Sequence, residues 1–173
     1  MFGLFGIGGG DRRNVMEFIK KVGSGFDLRD GHVRVGVRES CFDAHVVLSE
    51  FPDTGTYFSA VEESFISIIS SLLVDVRMDL GKARPNANRI AILVVSGEIQ
   101  DMEEAMKQVR RLKYNTRVIV VGIGNSVDEK QLMQLASSKN SYEMDMSHVF
   151  PVQSSKELLE LVKKVQVLMC EEQ

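Results

Sequence analysis

Two apolar runs limit most strongly what this chain can fold into. Ile90 to Val95 contains no polar residue, and Thr116 to Val121 ends in four apolar ones. Strands of this kind are covered by helices on both faces of a parallel sheet. Stretches with apolar residues at helical spacing lie before, between and after these runs. The expected fold is therefore α/β, Rossmann-like and doubly wound, with a mostly parallel six-stranded sheet, one antiparallel edge strand and helices on both faces.

The antiparallel edge is expected from the segment that follows the first helix. Val33, Val35 and Val37 alternate with polar residues, which predicts a half-buried strand. Val46 to Phe51 follows too closely for a crossover and is predicted to pair with it as an antiparallel hairpin. Four helix boundaries are also predicted: the start near Tyr57 and the end at about Val76 of one helix, and capping boxes at Ser126-x-x-Glu129 and Ser154-x-x-Glu157.

Length, charge and cysteine content exclude several classes of function. A chain of 173 residues that is 44% hydrophobic can form one full core, so residues 1–173 are expected to be a single domain. The net charge of −3 argues against a nucleic-acid partner, and Arg12-Arg13 and Arg110-Arg111 are expected on solvated helix faces. The apolar runs are too short to span a membrane. Two cysteines and three dispersed histidines provide neither a disulfide framework nor a zinc site.

A glycine-rich turn, Gly6-Ile7-Gly8-Gly9-Gly10, follows the first predicted strand and opens the first helix. Ligands of α/β proteins bind at such turns, and the pattern partly matches the dinucleotide fingerprint Gly-x-Gly-x-x-Gly. Asp11 stands at the third glycine position and would direct a negative charge toward a pyrophosphate. A nucleotide-binding α/β enzyme is therefore the alternative interpretation. The preferred interpretation is that the chain is not an enzyme and has no catalytic residue, since it lacks Gly-Lys-Ser/Thr and Gly-x-Ser-x-Gly.

An ordered series of short segments carries a family resemblance. The segments are Phe18–Val22, Gly25–Asp27, Val33–Val37, Gly81–Pro85, Ile92–Gly97, Gln100-Asp101, Val121–Asn125 and His148–Phe150. Together they resemble a von Willebrand factor type A domain of the matrix type found in collagen VI and matrilin-like proteins. The resemblance covers nearly the whole chain. It implies a functional centre at the strand ends, where this family has a metal-ion-dependent adhesion site built from oxygen ligands.

The resemblance also implies that most of these ligands are missing. The family's Asp-x-Ser-x-Ser turn corresponds to Phe5 to Gly9, and its Asp-Gly-x after the central strand corresponds to Ser96-Gly97-Glu98. The loop threonine corresponds to Thr56 or, in another register, to Ser70 or Ser71. Mg²⁺ needs oxygen ligands, usually with a carboxylate among them. No metal and no other cofactor is therefore expected.

Three carboxylates near this edge allow one alternative. Asp11, Glu98 and Asp101 could form an irregular cluster that binds a cation weakly. The preferred interpretation is that Asp11 caps the first helix and that Asp101 helps to start a later one, because both roles are common at helix N-termini.

The function that the resemblance implies is that of a metal-independent protein-binding module of an extracellular matrix or cell-surface protein. The expected partners are matrix proteins such as collagen or other type A domains, self-association is possible, and no membrane insertion is expected. A purely structural spacer is a further alternative. The expected binding surface is the degenerate metal-site rim, with the edge strand Val46 to Phe51 as a second candidate. The rim residues are Gly6, Gly8, Gly9, Asp11, Thr56, Ser96 and Glu98.

The resemblance also bears on the cysteines and on localisation. It places Cys41 and Cys170 at opposite ends of the domain, too far apart for a disulfide bond. Cys170 is therefore expected to be free, or bonded outside this chain. Such domains are secreted, and a signal sequence is expected upstream of this chain, because residues 1–10 do not resemble one.

Overall fold

The computed structural model describes residues 1–26, 33, 35–39, 69–138 and 145–170. Five strands lie within them: β1 Phe2–Phe5, β2 Val37–Glu39, β3 Ile90–Ser96, β4 Arg117–Ile123 and β5 Val149–Val152. The helices are α1 Gly9–Ser24, α2 Ile69–Gly81, α3 Met102–Lys113, α4 Glu129–Leu135 and α5 Leu158–Cys170. The described strands form one sheet in the order β2-β1-β3-β4-β5, with every pairing parallel.

The two apolar runs form the centre of this sheet, as predicted. Side chains alternate between the faces of a strand, so β3 contributes to two separate apolar clusters. Leu93 packs with α2, α3 and α4 on one face, whereas Ile92 packs with α1 and α5 on the other. The sheet is therefore covered on both faces by helices, which explains why β3 and β4 need no polar side of their own.

Helix α1 shows how the helices are attached to the sheet. Val15, Phe18, Ile19 and Val22 form one buried stripe at the predicted spacing. The Phe18 ring meets Phe2 of β1 edge to face, with ring centroids 6.4 Å apart. Helix α1 is thus held directly over β1, and its N-terminus lies just beyond the end of that strand.

The predicted second strand is wrong in its extent and in its burial. Its described part begins at Val37, not Val33, because pairing with β1 begins at Phe2, opposite Val37. Val35 and Val37 are 40% and 43% exposed, more than a half-buried strand predicts. Its predicted antiparallel partner, Val46 to Phe51, lies outside the described residues, and with it the sixth strand and the antiparallel edge.

Two predicted helix boundaries are also wrong, and one is confirmed. Helix α2 ends at Gly81 and not near Val76, because Leu80 extends its apolar stripe onto the core. Its predicted start near Tyr57 lies outside the described residues. The cap of α4 is Asp128, whose carboxylate accepts a hydrogen bond from the Lys130 N–H at 2.8 Å, and not Ser126. The capping box of Ser154 and Glu157 is present, in a 3₁₀ turn at Ser155–Glu157 that leads into α5.

Candidate functional site at the carboxyl ends of the strands

The carboxyl ends of the parallel strands meet at one edge of the sheet, and the connections reverse direction there. From β1 the chain continues to β2 on one side, and β3 lies on the other side of β1. Ligands of open α/β sheets bind at the crevice above such a switch point. In this chain the crevice is bounded by residues 6–11 after β1 and by residues 96–101 after β3. These two turns contain the rim residues that the structure describes, and together they are called the rim from here on.

The two parts of the rim touch each other through their backbones. Gly6 has a φ of +68°, and a Cβ atom built on it would lie 2.0 Å from the carbonyl oxygen of Ser96. A side chain at this position would therefore collide with a rigid backbone atom. Gly6 is required by the close approach of the two turns, which needs neither a metal nor a phosphate to explain it.

The side chains on either side of Gly6 point into the protein. Phe5 is 3% exposed and packs in the cluster of α2, α3 and α4. Ile7 is 6% exposed and packs in the cluster of α1 and α5. These are the positions at which the resemblance implies an aspartate and a serine. Hydrocarbon is buried where ligand oxygens would be needed.

The rest of the glycine turn is open to solvent. Gly8 is the N-cap of α1, and the N–H groups of Asp11 and Arg12 each bond to its carbonyl oxygen at 3.1 Å. A Cβ atom added to Gly8, Gly9 or Gly10 would meet no neighbour within 4 Å. The prediction that Asp11 caps α1 is wrong in position: Asp11 lies in the first turn, where its charge still favours the helix dipole.

The second half of the rim is fixed by Asp101 rather than by Glu98. The Asp101 carboxylate accepts hydrogen bonds from the N–H groups of Ser70 at 2.9 Å and Ile69 at 3.3 Å, at the start of α2. Asp101 is also the N-cap residue of α3, although its side chain makes no bond to that helix. It therefore ties two helices together. Glu98 is exposed at the tip of the turn.

The remaining predicted site residues fall in different places. Ser96 is the last residue of β3 and is partly exposed. Thr56 lies outside the described residues. The alternative Ser70 is buried at the rim beside Asp101, whereas Ser71 is exposed. In the described part of the chain, no three His, Cys, Asp or Glu side chains are grouped so that they could hold a metal ion.

Two residues that hold the rim in place, Ile99 and Gln131, were not predicted from the sequence. Ile99 is buried under the turn after β3, and its carbonyl oxygen accepts a hydrogen bond from Gln131 Nε2 of α4 at 3.2 Å. The signal available in the sequence was Ile99, a single apolar residue in a polar turn.

A cavity of about 600 Å³ lies away from the rim, at the opposite edge of the sheet, with Phe2, Phe26 and Met169 among its lining residues.

Comparison with known proteins identifies the family. The family model of the von Willebrand factor type A domain matches residues 6–164. The chain belongs to the von Willebrand factor type A family. Domains of this family are generally non-enzymatic modules for adhesion and protein interaction. Curated protein sequences give no significant match.

Solved type A structures share the fold. Proximal thread matrix protein 1 from the mussel byssus superposes with a TM-score of 0.70 at 22% identity, over 98% of this chain and 46% of the mussel chain. A form of the same protein described as having a zinc-occupied metal-ion-dependent adhesion site gives 0.63 at 23% identity, over 98% and 47%. The manganese-loaded TRAP protein of Plasmodium vivax gives 0.57 at 13% identity, over 92% and 70%.

These neighbours differ from the present chain in length. The chain spans less than half of the mussel protein.

In the part of the chain that the structure describes, no helix is both long enough and apolar enough to cross a membrane.

Proposed function

We propose that residues 1–173 form one type A domain that binds proteins without a metal ion, as part of an extracellular matrix or cell-surface protein. The observation that carries the proposal is the burial of Phe5 and Ile7, 3% and 6% exposed, at the two positions that would have to present ligand oxygens. The expected partners are matrix proteins, such as collagen or other type A domains, and a second copy of this chain is possible.

The loss of metal binding is supported by what the nearby carboxylate does. Asp101 already accepts two backbone hydrogen bonds from α2, and turning it toward a cation would leave both N–H groups without this acceptor. A buried N–H group without a partner costs about 1–3 kcal/mol. Glu98 and Asp11 then remain, and among the described residues they are not grouped with a third acidic, His or Cys side chain that could complete a set of metal ligands.

The open glycines supply the surface that a partner would meet. Gly8, Gly9 and Gly10 are exposed and carry no side chain, so a partner can approach the first turn of α1 closely. The exposed Glu98 stands across the rim on the other turn. A partner that recognises this rim would use shape and backbone hydrogen bonds more than charge.

The nucleotide-binding alternative has less support. A pyrophosphate would have to lie at the N-terminus of α1, where the first turn carries Asp11. The backbone contact between Gly6 and Ser96 also narrows the crevice at the switch point. A structural spacer remains compatible with the fold, and no contact in the described residues favours it over binding.

The metal-free part of the proposal is tested by calorimetric titration of the domain with Mg²⁺, Mn²⁺ and Zn²⁺, together with thermal unfolding in EDTA and in each metal. We expect no binding tighter than millimolar and no change in the unfolding temperature. Tight binding of any of these ions, or a lower unfolding temperature in EDTA, would contradict metal independence. Titration with ATP and NAD in the same instrument tests the enzyme alternative.

The binding surface is tested with Gly9→Gln, which adds a side chain to an open rim position. Gly81→Gln at the end of α2 is a matched control, because a Cβ atom there also meets no neighbour within 4 Å. Binding to immobilised collagens, to other type A domains and to the domain itself is measured for both variants. We expect Gly9→Gln alone to weaken it. Equal loss in both variants, or in neither, would remove the rim as the binding surface.

A further inference from the structure

A basic segment lies far from the rim and has no role in the proposed function. Residues 110–117, Arg-Arg-Leu-Lys-Tyr-Asn-Thr-Arg, contain four basic residues and no acidic one. They form the last turn of α3, a short connection and the first residue of β4. Because β4 has seven residues and a strand rises about 3.3 Å per residue, this segment and the rim lie at opposite edges of the sheet.

The two arginines of the last helical turn are available for a ligand. Arg110 and Arg111 are exposed, and neither forms a hydrogen bond or an ion pair with any residue that the structure describes. One turn earlier, Lys107 is paired with Glu104 at 3.1 Å and with Glu103 at 3.6 Å. Arg111 interacts with Glu104 only at longer range, without an ion pair, and the last turn of α3 contains basic residues and no acidic one, so it keeps a net positive charge.

Lys113 adds a third positive charge that is held in place. Its ammonium group donates a hydrogen bond to the carbonyl oxygen of Gln134 at 2.8 Å, at the end of α4. Burial, and next the positive charge of Arg110, lower the pKa of Lys113 to about 8. Lys113 and Arg110 therefore repel each other in the folded domain, and a bound anion would relieve this repulsion. Basic residues at a helix C-terminus favour the helix dipole, but one charge suffices for that.

Tyr114 follows directly and is 92% exposed. A tyrosine ring so far from any packing partner gains nothing for folding, whereas at a binding surface it offers an apolar face and a hydroxyl group. Asn115 beside it is also exposed and adds an amide. Three cations, an aromatic ring and an amide thus lie within the last turn of α3 and the two residues that follow it.

We propose that residues 110–115, the basic turn, bind a sulfated polysaccharide of the heparin class. Arg110 and Arg111 would each bind a sulfate group with the planar fork of the guanidinium. Lys113 would neutralise a third anion, and the Tyr114 ring would lie against a sugar face. The site does not depend on the rim, so the domain could hold a polysaccharide at one edge and a protein at the other.

The size of the basic turn and the charge of the chain favour a flexible polysaccharide over other polyanions. Four residues of helix are about 6 Å long, whereas nucleic-acid binding usually uses a wide basic face or a domain of high pI. This chain has a net charge of −3 and a pI of about 5.7. Attraction to an anionic membrane typically needs a cluster of four to eight Lys or Arg residues. A thin chain with closely spaced sulfates can contact one helical turn without approaching the acidic remainder.

The test compares two double variants with the same change in net charge. Arg110→Gln with Arg111→Gln removes the exposed charges of the basic turn. Lys163→Gln with Lys164→Gln is the matched control, since this pair is equally exposed on α5. Binding of a heparin oligosaccharide of defined length is measured by calorimetry across a salt series. Hyaluronan, single-stranded DNA and phosphatidylserine vesicles serve as the other polyanions.

We expect the arginine variant to bind heparin about tenfold more weakly at physiological salt, because each contact between a cation and an anion contributes a few-fold there. The control pair should change affinity less than twofold, and the salt slope of the wild-type domain should correspond to about three contacts. Equal weakening by both pairs would overturn the proposal. Binding of DNA, hyaluronan or vesicles as tight as that of heparin would equally overturn it. Failure of rim binding would leave it untouched.

Discussion

Substitution of Gly6 by alanine tests whether the first turn is shaped by its contact with β3. Gly6 has a φ of +68°, and its added Cβ would lie 2.0 Å from the Ser96 carbonyl oxygen. The left-handed conformation costs an alanine about 1–2 kcal/mol, and forcing an extra carbon against a rigid neighbour costs about 1–3 kcal/mol. The sum, about 2–5 kcal/mol, corresponds to an unfolding temperature roughly 5–15 °C lower for a domain of this size.

Urea and thermal unfolding followed by circular dichroism measure this loss. Gly9→Ala is the control, because a Cβ there meets no neighbour within 4 Å, and replacing glycine in a helix stabilises it by about 0.5–1 kcal/mol. Gly6→Ala should therefore destabilise the domain while Gly9→Ala stabilises it. If the free energy of unfolding of Gly6→Ala lies within about 0.5 kcal/mol of the wild-type value, the size of an ordinary surface effect, the inferred close approach of the two turns is wrong.

Three further predictions follow from contacts in the described residues. Because the folded protein lowers the pKa of Lys113 from 10.5 to about 8, the unfolded chain binds this proton more tightly and the free energy of unfolding should rise with pH between those values. The rise should be about 1–2 kcal/mol after allowance for partial exposure, and Lys113→Met should abolish it in urea titrations. Asp101→Ala should lower stability by about 1–3 kcal/mol, since two N–H groups of α2 lose their acceptor, and Asp101→Asn should recover part of this loss in thermal unfolding. Cys170 is a free, exposed thiol, so the monomeric domain should react rapidly with a thiol reagent and Cys170→Ser should remove that fast phase.

The central part of the fold could be predicted because burial on both faces leaves a direct record in the sequence. Residues covered on two sides are all apolar, and such runs predicted β3 and β4 to within one or two residues. The capping box at Ser154 could also be predicted, because its hydrogen bonds join residues only three positions apart. The Ser154 N–H donates to Glu157 Oε1 at 3.1 Å. Where the deciding contact is local, the sequence is sufficient.

The errors occur where a distant contact decides. Ser126 and Asp128 are both good cap residues, and Asp128 is used because Val127 must first pack against the core. The second strand begins at Val37 because β1 offers pairing only from Phe2 onward. Neither constraint appears in the local pattern of the affected segment.

The candidate site divides in the same way. Gly6 and Ser96 could be expected at one edge, because both follow parallel strands, although their contact could not. The bond of Asp101 to the start of α2 joins residues more than 30 positions apart, and an aspartate before a helix predicts a cap of that helix first. Its actual role depends on how two helices pack.

Phe5 and Ile7 explain why the fold can persist without metal chemistry at its switch point. One belongs to the cluster on each face of the sheet, so the turn joins both halves of the core above the end of β1. Burying two such side chains stabilises the domain by about 1.5–3 kcal/mol each, a large share of the 5–15 kcal/mol typical of a whole domain. Oxygen ligands at these positions would lose that burial and would need a bound cation to offset the desolvation of a carboxylate. The same turn could close the core or present ligands to a metal, and here the side chains of Phe5 and Ile7 close the core; the recognition that we propose at the rim would therefore use exposed backbone.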